Sequence, residues 1–259
     1  MIGSYEKVKG AVGTVPAIEK AFAILDMLKR DGAEYTTVEL ARALGLHKST
    51  VHKILVALSH YGVVQRDESS KRYRLGIALA EYGSAALRNL DIRRIAKPFL
   101  QSLMEFGGET ACLAVLQGTK VVIVDSKEPP IQIRVSPQIG WRFPATLNAM
   151  GKAILAWLPD YRVDEIMRLE GLPARTTKSI TDAVAYRAEL AITRERGYAT
   201  EFEEFHYGVN GVAAPVFDSQ GTVIASLGIG GPAFRMGEDR IGILGKKCAE
   251  VAREIFTQQ

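Results

Sequence analysis

Residues 36–61 read TTVELARALGLHKSTVHKILVALSHY, two helical patterns separated by a glycine-containing turn. The first pattern begins at Thr36, where the Thr36 hydroxyl and the Glu39 carboxylate match a capping box, and it ends at Gly45. The second covers about Lys48 to Tyr61 and spaces its apolar residues at i, i+3, i+4 and i+7, which predicts one buried stripe. The stripe consists of Val51, Ile54, Leu55 and Leu58. Two short helices joined by a tight turn are typical of a helix-turn-helix.

The outer face of the second helix carries no carboxylate. The side chains on it are Ser49, Lys53, Val56 and His60, with Thr50 and His52 at its borders. Phosphates would repel a carboxylate at these positions, whereas lysine neutralises them. An ordinary surface helix mixes both signs of charge. We therefore interpret residues 48–61 as a helix that enters a groove of DNA.

A basic hairpin follows this helix. Residues 63–66 and 72–75 are its predicted strands, and residues 67–71 form the polar turn. The cations of the hairpin are Arg66, Lys71, Arg72 and Arg74. A two-stranded ribbon with these charges suits a wing that lies along the phosphate backbone. The alternative is an exposed hairpin whose charges serve solubility.

The positive charge of the chain is concentrated in its first third. The chain has 33 basic and 29 acidic side chains, a formal net charge of +4. Residues 1–75 contain 12 basic and 8 acidic side chains, so the remainder is balanced. Such asymmetry points to a polyanionic partner for the N-terminal part, although a solvated basic face gives the same count.

Length and composition exclude several classes of protein. The chain has 259 residues, of which 47% are hydrophobic and 24% charged, so it is neither disordered nor a collagen nor a coiled-coil rod. No apolar run approaches the ~18 residues of a membrane-spanning helix, and the first residues lack a signal-peptide core. Cys112 and Cys248 fit no disulfide framework or metal-binding spacing. We therefore expect a cytoplasmic protein with no membrane partner.

The chain divides into four expected segments. Residues 1–14 form a flexible arm, residues 15–75 a winged helix-turn-helix, residues 76–92 a linker helix and residues 93–259 a second domain. A helix over residues 16–30 opens the first domain. Its predicted buried face consists of Ile18, Phe22, Leu25 and Leu28.

The second domain combines hairpins with long helices. Strands over residues 111–117 and 120–126 flank a tight Gly118-Thr119 turn, which favours an antiparallel hairpin. Further strands are predicted over residues 131–135, 198–202, 212–218 and 223–229. Helices are predicted over residues 91–107, 148–158, 182–196 and 238–256, with Thr181 as the cap of the third. This pattern indicates an antiparallel α+β domain rather than a doubly wound one.

No arrangement of residues demands catalysis, and we expect neither an enzyme nor a cofactor. The run Gly228-Ile229-Gly230-Gly231 leads into Pro232 rather than into a helix, so it is not a nucleotide-binding fingerprint. The best candidates for a metal or acid–base site are Glu201, Glu203, Glu204 and His206. A solvated loop is the simpler interpretation of that cluster, and metal binding by it stays open at this point. The competing functions are a small-molecule enzyme with an accessory basic domain and a DNA-binding scaffold without a ligand.

Three groups of motifs, in their order and spacing, resemble the IclR family of bacterial transcription regulators. The first is LGLHKSTVHKIL over residues 44–55, followed by YRLG over residues 73–76. The second is GKAILA over residues 151–156. The third includes RGYA over residues 196–199 and AAPVFD over residues 213–218. The resemblance covers nearly the whole chain.

The resemblance implies a winged helix-turn-helix, a linker helix and a GAF-like effector-binding domain with a curved antiparallel sheet. It implies dimers, often paired into tetramers, that bind a near-palindromic operator in double-stranded DNA. It also implies that a small organic acid or aromatic effector alters the affinity for DNA. The implied DNA-binding positions are Thr37, Lys48, Ser49, Thr50, His52, Lys53, Arg66, Arg72 and Arg74. The implied effector-binding positions are Ala149, Met150, Glu201, Val209, Gly211, Gly228 and Gly230.

The chain departs from the family pattern at the effector site. Thr146 stands where a histidine is common, and Gly228 and Gly230 stand where some relatives have serine. Two missing hydroxyls remove donors for a carboxylate and leave more room, so we expect a ligand bulkier or less acidic than glyoxylate or pyruvate. The alternative is that the glycines serve sheet curvature or a close backbone approach.

Overall fold

The computed structural model describes residues 15–30, 32–88 and 90–257 of the chain, with side chains up to residue 255. The flexible arm expected over residues 1–14 lies outside the described residues. The chain separates into two compact units, with the division between residues 89 and 90. Among the described residues, no helix combines the length and the apolar character needed to cross a bilayer.

The N-terminal unit is a helix-turn-helix followed by a two-stranded wing, as predicted. Its elements are α1 (Pro16–Leu28), α2 (Thr37–Leu44), α3 (Lys48–His60), β1 (Val64–Arg66), β2 (Tyr73–Leu75) and α4 (Ala78–Arg88). Strands β1 and β2 pair antiparallel. Tyr35, just before α2, forms a single β-bridge with Tyr73 and so attaches the wing to the helices.

The core of this unit confirms the stripe predicted for α3. Val51 and Leu55 are fully buried, and they pack with Ile24 and Leu28 of α1 and Leu40 of α2. Ile54 and Leu58 are partly buried against the same cluster.

The face predicted for α1 was partly wrong. Ile18 and Phe22 are 55% and 63% exposed, whereas Ala23, Ile24 and Leu28 are buried. Helix α1 is apolar around more than half of its circumference, so its periodicity allows two stripes. Contact with α3 selects the stripe that contains Ile24 and Leu28.

The start of α2 has the predicted capping box. The Thr36 hydroxyl accepts a hydrogen bond from the Glu39 amide (3.3 Å), and the Glu39 carboxylate accepts one from the Thr36 amide (2.7 Å). Gly45 ends the helix in the left-handed conformation, with a φ of 63°. This turn fixes the direction in which α3 leaves α2.

The C-terminal unit is an antiparallel α+β domain, as predicted. Its helices are α5 (Asp91–Gly107), α6 (Ala149–Leu155), α7 (Asp160–Glu170), α8 (Ala183–Arg196) and α9 (Glu238–Thr257). Its strands are β3 (Thr110–Gln117), β4 (Lys120–Lys127), β5 (Arg142–Pro144), β6 (Ala199–Phe202), β7 (Val209–Phe217) and β8 (Val223–Pro232). They form one six-stranded sheet in the order β5-β4-β3-β8-β7-β6.

Helices cover both faces of this sheet. A side chain at Gly107 of α5 would contact Ile229 of β8, so α5 lies on the face to which Ile229 points. Ala149 and Ala153 of α6 pack against Ala213 of β7, the partner of Gly228. Because neighbouring residues of a strand point to opposite faces, α6 lies on the other side of the sheet.

Several details of this unit differ from the sequence-based expectations, and strand β5 was not predicted. Residues 131–135 are not a strand; they form a loop that Arg134 and Ser136 fasten to Glu128 (2.6 Å each). Prolines on both sides of this segment lack the amide that a central strand donates. Helix α7 was not predicted, and Asp182 rather than Thr181 caps α8 by accepting a hydrogen bond from the Ala185 amide (2.8 Å).

We expect Thr36→Ala to destabilise the N-terminal unit by about 1 kcal/mol, because the Glu39 amide loses its partner at the start of α2. Thr36→Ser retains the hydroxyl and should restore most of the stability. Urea unfolding followed by the helical circular dichroism signal measures the difference. Equal unfolding midpoints for wild type and Thr36→Ala would contradict the capping role.

Candidate functional site

Helix α3 presents a polar surface that is free of carboxylates. Lys48, Ser49, His52 and Lys53 are exposed, and Thr50 is half-buried at the border of the surface. We call these five residues the reading face. Val51 and Leu55 are buried on the opposite flank of α3. In an amphipathic helix, the polar residues then lie on the flank that faces away from the core.

Two arginines of the wing are exposed, and the third is half-buried and hydrogen-bonded within the N-terminal unit. Arg66 and Arg74 are exposed. The Arg72 guanidinium donates to both Glu39 carboxylate oxygens (3.1 Å each) and to the Glu34 carbonyl (2.9 Å). Arg72 therefore fastens the wing to the start of α2, a role that the sequence analysis missed.

The turn of the wing is ordered by its own side chains. Asp67 accepts hydrogen bonds from the amides and hydroxyls of Ser69 and Ser70. These bonds hold the pKa of Asp67 well below its usual range, so this carboxylate stays ionised. The wing thus has a defined shape without a bound partner.

Sheet register brings four of the predicted effector-binding residues together. Glu201 of β6 lies opposite Gly211 of β7, and Gly211 lies opposite Gly230 of β8. The Ala149 amide, at the start of α6, donates to the Glu201 carboxylate (3.3 Å). We call Ala149, Glu201, Gly211 and Gly230 the glycine site.

The three other predicted effector-binding residues lie around the glycine site. Met150 follows Ala149 on α6 and is partly buried. Val209, the first residue of β7, is paired with Pro232, and Gly228, two residues before Gly230 in β8, is paired with Ala213.

The two glycines of β8 have different surroundings. A Cβ atom at Gly230 would have the Asn210 carbonyl oxygen as its nearest neighbour, at 4.0 Å. A Cβ atom at Gly228 would lie 2.2 Å from the Val212 carbonyl oxygen, which no side chain tolerates. A side chain would therefore fit at Gly230 but not at Gly228, where the glycine is needed for the close approach of the strands, the alternative given in the sequence analysis.

A buried ion pair lies next to the glycine site. The Lys152 ammonium, on a side chain that is 1% exposed, contacts both carboxylate oxygens of Glu204 (2.6 and 2.8 Å). Lys152 was not among the predicted site residues, although it lies inside the apolar run over residues 149–156, where a charged residue is unusual. A buried lysine requires a partner, because an unpaired buried charge is very costly.

Glu201 is a buried carboxyl group with an altered pKa. Burial raises its pKa to about 7; the Lys152 ammonium lowers it and the Glu204 carboxylate raises it. Its oxygens accept long hydrogen bonds from the Ala149 and Phe205 amides (3.3 Å each). Glu201 therefore changes its charge near neutral pH.

The carboxylates suggested for a metal site do not converge. Glu203 is directed to Lys178 and to the Gly208 amide, and His206 is exposed on the turn. Over the described ranges of the chain, no three potential ligands come together to hold a metal ion.

Both units of the chain match family models of known proteins. A model of the IclR helix-turn-helix domain matches residues 17–68, and a model of the bacterial transcriptional regulator IclR C-terminal domain matches residues 84–257. The HTH-type transcriptional repressor AllR of Salmonella typhimurium is 31% identical over 241 residues, which are 93% of this chain and 89% of AllR.

Solved structures give the same result. The Thermotoga maritima IclR structure is similar with a TM-score of 0.74 at 33% identity, covering 93% of this chain and 97% of that one. An IclR homologue from Microbacterium hydrocarbonoxydans, complexed with 4-hydroxybenzoate, has a TM-score of 0.78 at 24% identity and covers 93% of this chain and 98% of that one. The second likeness concerns the fold.

We expect Gly228→Ala to lower the free energy of unfolding of the C-terminal unit by about 1–3 kcal/mol, because the added methyl group would overlap the backbone of β7. Gly230→Ala is the matched control on the same face and should change stability little. Thermal unfolding of the two variants separates these outcomes. A Gly228→Ala variant as stable as Gly230→Ala would show that β8 shifts freely.

Proposed function

This chain belongs to the IclR family of bacterial transcriptional regulators, and we propose that it is a ligand-responsive regulator that reads operator DNA through α3. The reading face is the observation that carries the proposal. It combines exposed Lys48 and Lys53 with short polar side chains, and no carboxylate interrupts it. Such a face suits phosphate and base-edge contacts in a major groove.

Within the reading face and the wing, we assign different roles to the cations. Lys48 and Lys53 neutralise phosphates, while Ser49, Thr50 and His52 contact DNA beside them. Arg66 and Arg74 of the wing contact the flanking backbone, and Thr37 at the start of α2 contacts a phosphate. Arg72 holds the wing against the start of α2 through Glu39, and in this proposal it contributes to DNA binding by positioning the wing.

The proposed active form is a homodimer, the unit from which a tetramer is built. Helix α4 has no buried residue, and an isolated helix of 11 residues is marginal in water, so it needs a partner. Ile18 and Phe22 of α1, Ile77 and Tyr82 add large exposed apolar side chains to the same unit. A second copy covers these surfaces, and the two reading faces then read a near-palindromic operator.

We place the effector in the C-terminal unit, at the glycine site. Residues 15–75 bind DNA, residues 76–92 connect and residues 93–259 bind a small organic acid or an aromatic compound. The 4-hydroxybenzoate complex of the Microbacterium homologue supports an effector of this size. The effector alters DNA affinity only if it binds the DNA-competent and incompetent arrangements unequally. The AllR relative supports repression as the output.

An enzymatic function has less support. The buried groups Glu201, Lys152 and Glu204 bond one another or the backbone and leave no nucleophile aligned with a base. We propose a binding site without turnover, and a substrate-turnover screen on the intact protein tests it.

We expect Lys53→Ala to weaken binding to DNA from the gene's own promoter severalfold and to reduce the slope of log affinity against log salt by about one unit. The reason is the loss of one phosphate contact. Lys29→Ala, which removes an exposed lysine from the end of α1, is the matched control and should leave the slope unchanged. Titration by fluorescence anisotropy at several salt concentrations measures both. An unchanged Lys53→Ala slope would rule out α3 as the reading helix.

We expect the double variant Phe22→Asp and Tyr82→Asp to be monomeric at micromolar concentration, where the wild type is a dimer or tetramer. Two carboxylates in an apolar interface cost more than the interface gains. Tyr161→Asp, at an exposed position of α7, should leave the assembly intact. Light scattering coupled to gel filtration determines the masses. A wild type that is monomeric throughout would contradict the proposed dimer.

A further inference from the structure

The glycine site is poor in hydrogen-bond donors. Gly211 and Gly230 contribute no side-chain hydroxyl or amide where the sheet faces α6. The Ala149 and Phe205 amides are already directed at Glu201. Glu201 is therefore the polar side chain that this site offers, and it is an acceptor when ionised.

The charges around Glu201 do not balance when it is ionised. From α6, Lys152 faces the site, and both of its short contacts go to Glu204 of the turn after β6. The same turn carries Glu203, which pairs with Lys178, and His206, which is exposed. From β7 and β8, the residues opposite Glu201 are glycines. One buried ammonium thus serves two buried carboxylates.

The two glycines beside Glu201 place no side-chain atoms on the same side of the sheet. A Cβ at Gly230 would have the Asn210 carbonyl oxygen as its nearest neighbour, at 4.0 Å, and a Cβ at Gly211 would lie 3.6 Å from the Glu201 carboxylate. A ligand group seated over these glycines would meet the carboxylate directly. An ammonium there neutralises the excess negative charge, and a hydroxyl stabilises it by donating a hydrogen bond, whereas a ligand carboxylate adds to it.

We propose that Glu201 determines effector specificity by accepting a hydrogen bond from a hydroxyl or ammonium group of the effector. This inference rests on the proposed effector site and specifies its ligand class. The effector is a small hydroxylated or amino-bearing compound that turns this donor, not its carboxylate, toward Glu201. Simple acids without such a donor bind poorly.

The mechanism predicts the direction of a pH effect. The ionised Glu201 carboxylate accepts a hydrogen bond from an ammonium ligand and neutralises its charge. The protonated Glu201 carboxyl group does not neutralise that charge. With the pKa of Glu201 at about 7, ionisation rises through the neutral range. Affinity for an ammonium ligand therefore increases as the pH rises from 6 to 8, by about tenfold.

The test uses three probes of similar shape, benzylamine, benzyl alcohol and benzoate, with the full-length protein. Isothermal titration at pH 6, 7 and 8 should give tighter binding for benzylamine and benzyl alcohol than for benzoate, and an affinity for benzylamine that rises about tenfold. Glu201→Gln should lose the pH dependence and most of the benzylamine affinity. Glu203→Gln, on the same turn but directed away, should behave as wild type. Unchanged promoter binding and thermal unfolding of Glu201→Gln establish that it is folded.

Several results would overturn the proposal. They are tighter binding of benzoate, an affinity for benzylamine that falls or stays constant with pH, retention of the pH effect in Glu201→Gln, and no binding of any probe. Promoter binding measured in parallel separates this failure from failure of the proposed function. A protein that binds promoter DNA and responds to an acid lacking a donor refutes only the role of Glu201. A protein that binds no promoter DNA refutes the regulator itself.

Discussion

Helix α3 must meet two opposite demands along 13 residues, and the N-terminal unit is arranged around that constraint. One flank has to be apolar enough to hold a small core together, and Val51 and Leu55 are fully buried there. The other flank has to stay hydrated and free of negative charge. A carboxylate on that flank would cost little in stability but would repel DNA. Folding alone does not require its absence, which the proposed reading of DNA by α3 accounts for.

Glu39 links the local and the tertiary structure of this unit. The same carboxylate completes the capping box of α2 and holds the Arg72 guanidinium of the wing. Each exposed ion pair contributes little alone, but here the pair adds to the Tyr35–Tyr73 bridge, so the wing has two attachments to the helices. The position of the wing relative to α3 is thus set before DNA binds, which lowers the entropic cost of binding.

The features that the sequence predicted correctly are those that depend on near neighbours. The capping box, the spacing of Val51 and Leu55 and the Gly118-Thr119 hairpin involve residues a few positions apart. Apart from helix α7 and the Asp182 cap of α8, which are local, the features it missed depend on contacts distant in sequence. Which face of α1 is buried follows from packing on α3, and the Lys152–Glu204 pair joins residues 52 positions apart. The tight approach at Gly228 likewise requires the register of β7 against β8.

The buried charges of the C-terminal unit have a consequence for how such a domain responds to a ligand. A site formed by apolar side chains alone has little energetic reason to distinguish one polar group from another. Lys152, Glu204 and Glu201 instead place one cation and two anions in a buried region, where electrostatic interactions are stronger than at the surface. A ligand donor that balances Glu201 changes the energy of α6 as well, because Ala149 and Lys152 belong to the same short helix. In the proposed effector site, a ligand bound to Glu201 would therefore also act on α6, because the Ala149 amide at the start of this helix donates to the same carboxylate.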